Sequence, residues 1–334
     1  MLRSKTTALR VLACAAAFSF SVSAGIAQPI ELRMGSATAD AETDVYKIAY
    51  RALTKALDEI APGEFNVSFF PNRQLGDEQE MVQGLQLGTI DMAVITNSVV
   101  ANVAPQFVVN DLPFLYPSHE KAAEILDGEL GQDLLASLEG KGIVGLAFCE
   151  AGYRHMLNNV RPVSTPEDVI GAKYRVMQSP IFIGMFESLK GNPVPMAWGD
   201  TITAFQQGAI DGIEVPAWVV AGANLDEVAK YMSLTRHVYS VSPLMISKAS
   251  FNKLSDTQKD ALRKASTIAC QEQRVRGAAQ EAEIIANLKA KGRMEINDVA
   301  DTAPFREAMQ PVYEDYRDKI GSERLDGWLN AVGE

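Results

Sequence analysis

The sequence has few of the residues on which most catalytic sites depend. It contains three histidines, His119, His155 and His237, which lie far apart along the chain. It has no His-Glu-x-x-His zinc motif, no paired-cysteine metal spacing and no Gly-x-Ser-x-Gly nucleophile motif. These absences argue against zinc enzymes and serine hydrolases, and we expect no catalytic residue, metal or cofactor.

A glycine pattern typical of dinucleotide binding occurs at residues 140–145. Such a pattern cradles a pyrophosphate only where it joins the end of a strand to the start of a helix. Here it precedes a predicted strand, so we interpret it as a turn.

The chain also lacks a basic patch and, beyond its first residues, any apolar run of about 18 residues that would span a membrane. Without residues 1–27 it has 28 Lys and Arg against 42 Asp and Glu, a net charge of −14. A chain this acidic repels nucleic acid and anionic lipid. Its central basic residues are spaced among apolar ones: Arg154, Arg161, Lys173 and Arg175.

Residues 1–27 are predicted to be a secretory signal peptide, which places the mature protein in the periplasm. Three basic residues precede an uncharged run at 11–22, and small residues suited to cleavage end at Ala24 or Ala27. Residues 11–14 resemble a lipoprotein cleavage box ending in Cys14, but almost no hydrophobic segment precedes it. Removal of Cys14 leaves Cys149 and Cys270, and the sequence does not show whether they lie within bonding distance.

The apolar pattern predicts two α/β lobes. Strands alternate with helices in the order of parallel βαβ units, and the order then recurs. Predicted strands are 30–35, 65–70, 90–95, 142–149, 174–177, 194–196, 210–214 and 238–247, and predicted helices are 43–60, 77–87, 180–189, 200–207 and 256 to about 291.

The two lobes have no flexible linker between them. We predict residues 28–151 plus about 240–278 for lobe I, and residues 152–239 plus about 279–334 for lobe II. The last strand returns the chain to the first sheet, and the long helix beginning after Ser255 spans both lobes. Such crossings predict a hinge made of strands and closure of the lobes around a ligand.

Arg175 is the strongest candidate for binding an anion, because it lies among apolar neighbours in a predicted strand. A buried guanidinium needs a partner, and its planar fork can hold a carboxylate by two parallel hydrogen bonds. From the residues alone, an ion pair with a protein acid is the favoured interpretation for both Arg175 and Arg154, and ligand binding is the alternative. Trp198 could be core or pocket wall, and Glu214 could stabilise a lobe or contact a ligand.

Six segments, in order, resemble the solute-binding subunits of tripartite ATP-independent periplasmic (TRAP) transporters. They are FPNRQLGD at 70–77, LGTIDM at 87–92, LPFL at 112–115, the segment 162–176 that leads to Arg175, NPVPMAW at 192–198 and FQQGAIDGIEVP at 205–216. The resemblance covers the chain from about residue 30 to its end.

This resemblance implies a monomeric, two-lobed binding protein of the periplasmic type. It would close on a small organic acid, including hydroxy and sugar acids, and deliver it to the small and large TRAP membrane subunits. Arg175 then corresponds to the family's carboxylate-binding arginine. The ligand-binding residues that the resemblance adds are Arg154, Gln178, Trp198, Glu214, Thr96, Asn97 and Tyr239.

Val215 departs from the family pattern, which often has Asn, Trp or another large side chain there. Valine cannot donate a hydrogen bond, so either Glu214 or Gln178 compensates or the ligand has an apolar face. Two other functions stay open. An exported enzyme would use Glu214 or His155 as its acid or base, and a sensor module would present its ligand state to a receptor.

Overall fold

The computed structural model describes residues 28–333. The predicted signal peptide therefore lies outside the described residues. Within them, no helix is both long enough and apolar enough to cross a membrane.

The strands of the described residues form a nine-stranded mixed sheet. They are β1 Ile30–Gly35, β2 Phe65–Phe70, β3 Met92–Val94, β4 Ile143–Asn158, β5 Lys173–Val176, β6 Asn192–Pro195, β7 Gly212–Pro216, β8 Tyr231–Ser247 and β9 Glu295–Asp298.

Helices cover the sheet. In the described residues they are α1 Val45–Ile60, α2 Glu78–Leu87, α3 Asn97–Val100, α4 His119–Asp127, α5 Glu129–Ala136, α6 Pro180–Ser188, α7 Trp198–Gln206, α8 Ala217–Gly222, α9 Lys248–Phe251, α10 Asp256–Lys291, α11 Ala303–Met309, α12 Pro311–Ile320 and α13 Ser322–Val332.

Two long strands make the sheet continuous across both lobes, in the order β2-β1-β3-β8-β4-β7-β5-β6, with β9 paired to β8. Strands β1, β2 and β3 are parallel in lobe I, and β5, β6 and β7 are parallel in lobe II. The antiparallel pair β4 and β8 connects the two sets. The α/β, two-lobed prediction with hinge strands is confirmed, whereas the lobe boundaries stay a prediction, because β4 and β8 belong to both lobes.

The predicted end of a strand at Cys149 is wrong, since β4 continues to Asn158. Its pairing with β8 shifts register at three places, one of them between Glu150 and Gly152, and Gly152 has φ +77°. The buried carboxylate of Glu150 lies 3.0 Å from Nδ1 of His119 and accepts a short hydrogen bond from Tyr239. These partners, distant in sequence, let a charged residue occupy a buried strand.

The long helix α10 is confirmed at its predicted bounds. The Ser255 side chain accepts from Gln258 N in a capping box, and Gly292 ends the helix at φ 62°. The helix packs against α1, β4 and α8. A disulfide between Cys149 and Cys270 ties it to β4, with an S–S distance of 2.04 Å. Of the predicted turn at 140–145, residues 140–142 turn as expected, because a short 3-10 helix, Glu139–Lys141, leads through Gly142, whereas residues 143–145 already belong to β4.

Candidate functional site

An inner cavity lies between the lobes, beside the shared strand β4. A second cavity adjoins the inner one and shares Thr38, Trp198, Trp218 and Val219 with it. The residues that line the inner cavity are Ala37, Thr38, Tyr46, Glu78 and Thr96 from lobe I, Ala151 and Arg154 from β4, and Arg175, Met177, Trp198, Val215, Pro216, Trp218 and Val219 from lobe II.

Arg175 brings a buried positive charge to this cavity. It lies in β5 between β6 and β7 and is 2% exposed. Its Nε and Nη2 atoms donate to the backbone oxygen of Met196 at 2.9 and 2.5 Å, while Nη1 lies 3.6 Å from Sδ of Met177. Arg175 forms no ion pair with any acid in residues 28–333. Burial lowers the pKa of Arg175 to about 10, so it stays charged at neutral pH.

Arg154 is also buried at the cavity, but its charge is neutralised within the protein. Its Nη2 donates to Glu214 Oε1 at 2.8 Å, and its Nε donates to Glu214 Oε2. Burial alone would raise the pKa of Glu214, yet Arg154 and His237 lower it. Glu214 is fully buried and does not line the cavity. The two residues therefore form the structural ion pair that remained open for Arg154.

Thr96 and Glu78 form the polar wall of lobe I. Thr96 donates from both its backbone nitrogen and its hydroxyl to Glu78 Oε1, each at 2.7 Å. No described residue donates a hydrogen bond to Oε2 of Glu78. Burial raises the pKa of Glu78, against these hydrogen bonds.

The lobe II side of the cavity is mainly apolar. Trp198 begins α7, and the guanidinium carbon of Arg175 lies 5.9 Å from its ring centroid. Trp218 in α8 donates from Nε1 to the backbone oxygen of Ala151 at 2.7 Å. Val215 lies on this same wall.

Besides Glu214, three more of the predicted site residues, Gln178, Asn97 and Tyr239, do not line the cavity. The backbone oxygen of Gln178 accepts a hydrogen bond from Asn102 Nδ2 at 3.0 Å, and this hydrogen bond joins the two lobes. Asn97 is buried and donates to Asp111 Oδ2 at 2.9 Å. Tyr239 is paired with Glu150 in the hinge region.

Sequence reasoning missed Tyr46, Glu78 and Trp218 as cavity residues. Glu78 and Trp218 lie close to recognisable motifs: Glu78 directly follows the segment 70–77, and Trp218 lies two residues after the segment 205–216. Tyr46 lies in the first turn of α1, where its hydroxyl contacts Ser242 Oγ at 2.8 Å. No local pattern distinguishes it from the other apolar residues of that helix.

Residues 35–319 match the profile of bacterial extracellular solute-binding protein, family 7. The 2,3-diketo-L-gulonate-binding periplasmic protein YiaO of Escherichia coli K12 is 38% identical over 308 residues, which cover 92% of each chain.

Solved structures of TRAP periplasmic solute-binding proteins have the same fold. One from Bordetella, with density interpreted as pantoate, is 37% identical with a TM-score of 0.86, covering 90% of this chain and 99% of that one. Another, from Polaromonas sp. JS666 and bound to D-erythronate, is 33% identical with a TM-score of 0.85, covering 90% and 98%.

Proposed function

The chain belongs to the bacterial extracellular solute-binding protein family 7, and from that membership we propose that it captures a small organic acid in the periplasm and delivers it to TRAP membrane subunits. Hydroxy and sugar acids are included in this class. Relatives named for 2,3-diketo-L-gulonate and D-erythronate support it.

The observation that carries this proposal is the buried charge of Arg175. A buried guanidinium without a protein acid is costly, and a carboxylate ligand would satisfy it with charge-assisted hydrogen bonds. Closure of the lobes excludes water and lowers the local dielectric, which strengthens this pair. The acidic surface gives no long-range attraction for anions, so affinity comes from the pocket itself.

The other predicted site residues have different roles in this proposal. Thr96 and Trp198 contact the ligand directly. Arg154 faces the cavity and contacts the ligand with its charge already balanced by Glu214. Gln178 acts through its hydrogen bond between the lobes, and Asn97 and Tyr239 act from behind the cavity wall.

The protein binds without turnover and acts as a monomer in this proposal. Glu214 is held by Arg154, and His155 is buried with Nε2 3.4 Å from Glu281 Oε1, away from the cavity. Neither side chain is placed to accept a proton from a ligand. Incubating the protein with a panel of organic acids should leave every acid unchanged, and a product would establish the enzyme alternative.

Arg175→Ala and Arg175→Lys test the role of the guanidinium. A ligand at about 100 times its Kd stabilises the native protein by about 2.7 kcal/mol, which raises the Tm by several degrees. Truncating one partner of a buried charge pair costs about 2–5 kcal/mol, so we expect Arg175→Ala to abolish this rise. Arg175→Lys should also bind weakly, because lysine lacks the planar fork.

Lys173→Ala is the matched control, since Lys173 is an exposed basic residue in the same strand. Its ligand-induced Tm rise should equal that of the unchanged protein. A normal rise in Arg175→Ala would show that the carboxylate binds elsewhere.

A further inference from the structure

We propose that the cavity selects a hydroxylated monocarboxylate with an alkyl-substituted carbon, and that Glu78 and Val215 determine this preference. The inference rests on the proposed function and narrows its ligand class. It uses two side chains that line the same cavity, one from each lobe.

The charges around the cavity leave room for one carboxylate. Arg154 is occupied by Glu214, so Arg175 is the one cation without an acidic partner among the described residues that line the inner cavity. A ligand with two carboxylates would bring a second negative charge into a pocket that already contains Glu78. Like charges placed together in a binding site cost several kcal/mol.

Glu78 is instead arranged to accept a ligand hydroxyl. Its Oε1 is occupied by both donors of Thr96, which fixes the orientation of the carboxyl group. Its Oε2 has no donor from a described residue. A site built to bind a hydroxyl discriminates strongly against a ligand without one, because the protein group is then left unpaired.

Val215 determines which ligand group can lie against the lobe II wall of the cavity. It lies in β7 with Pro216, and Trp218 and Val219 of α8 extend the same wall. A ligand hydroxyl placed against these side chains would lose its hydrogen bonds to water without gaining new ones. A methyl group there would gain contact, and one methylene in an apolar pocket is worth about 10–200-fold in discrimination.

Three acids with the same four-carbon chain test the proposal. They are 2,4-dihydroxy-3,3-dimethylbutanoate, 2,3,4-trihydroxybutanoate and 2-hydroxybutanedioate, and their Kd values are measured by calorimetry. The dimethyl acid should bind about tenfold or more tightly than the trihydroxy acid. The diacid should bind most weakly, at least about tenfold below the trihydroxy acid.

Two substitutions should change the ratios of these Kd values independently of each other. Val215→Asn should reduce or reverse the preference for the dimethyl acid and keep the discrimination against the diacid. Glu78→Gln should reduce the discrimination against the diacid and keep the dimethyl preference. Val215→Thr adds a hydroxyl at nearly unchanged size, so it repeats the first test if Val215→Asn does not fold.

The outcomes separate this inference from the proposed function. If the acids bind without these preferences, or if neither variant changes its ratio, the inference is wrong while solute binding stands. If neither these acids nor any member of a wider panel of organic acids binds, the proposed function itself is wrong.

Discussion

Asp111 is a buried acid at the end of a chain of hydrogen bonds. Its Oδ2 accepts from Asn97, whose Oδ1 accepts from Asn110 at 3.0 Å. The hydroxyl of Tyr116 donates to Asn110 Oδ1 at 2.7 Å. Burial raises the pKa of Asp111 to about 7 from a model-peptide value of 3.8. The acid therefore keeps its proton in the native protein at mildly acidic pH.

Asp111→Asn should make stability less dependent on pH. Because the folded pKa is raised, the contribution of Asp111 is fully present below about pH 4 and is lost as the pH rises to about 7. One such group changes the free energy of unfolding by at most about 1.4 kcal/mol per pH unit. In urea unfolding, the variant should therefore gain stability relative to the unchanged protein between pH 4.5 and 7.5.

Asp58→Asn provides the control for this measurement, since Asp58 is exposed on α1. Its free energy of unfolding should follow that of the unchanged protein at both pH values. Parallel pH curves for Asp111→Asn as well would show that Asp111 titrates normally in the native state.

At the scale of elements, the disulfide fixes the longest helix to the strand that both lobes share. Cys149 in β4 and Cys270 in α10 are both buried and lie 121 residues apart in sequence. A cross-link that closes a loop of this size restricts the unfolded chain strongly. The sequence shows that two cysteines are present outside the predicted signal peptide. They lie within bonding distance only because α10 packs on β4.

Reduction of this disulfide should lower the free energy of unfolding by about 2–5 kcal/mol. Urea unfolding with and without dithiothreitol measures the difference. The double variant Cys149→Ala/Cys270→Ala should unfold at the same urea concentration in both conditions. An equal effect of dithiothreitol on the double variant would trace the loss to another cause.

At the scale of the whole molecule, the lobes contact each other beside the cavity. Asn102 of lobe I donates to the backbone oxygen of Gln178 in lobe II. Elsewhere, Arg73 and Asp77 of lobe I pack against Gly199 of α7. A Cβ at residue 199 would lie 1.9 Å from Nη1 of Arg73, so the lobes approach this closely only because glycine has no side chain.

Gly199→Ala should therefore weaken ligand binding by opposing closure, although residue 199 lies outside the inner cavity. We expect a several-fold rise in Kd, since the end of the Arg73 side chain can move partly aside. Arg73→Ala in the same chain should recover part of the loss, and a double-mutant cycle measures this coupling.

Gly140→Ala makes the same chemical change at a position where, apart from its two chain neighbours and the backbone of its own short helix, no atom of residues 28–333 lies within 4 Å of the new Cβ. Its Kd should equal that of the unchanged protein. Additive effects of Arg73→Ala and Gly199→Ala would show that the two residues do not limit closure together.

The sequence by itself determined the α/β class, the order of the main elements and the candidate arginine. These properties depend on local patterns, such as the alternation in β1, the capping box at Ser255 and the motif around Arg175. A local pattern is decided by residues close in sequence, so reasoning from spacing reaches it.

Tertiary structure alone decided which arginine is left without an acidic partner. Arg154 and Arg175 look alike in sequence, yet Glu214, 60 residues beyond Arg154, pairs with Arg154. Tertiary structure also turned Asn97 and Tyr239 away from the cavity and placed Glu78 in it. Burial and hydrogen bonding of these groups depend on partners far away along the chain, and only folding brings such partners within contact distance.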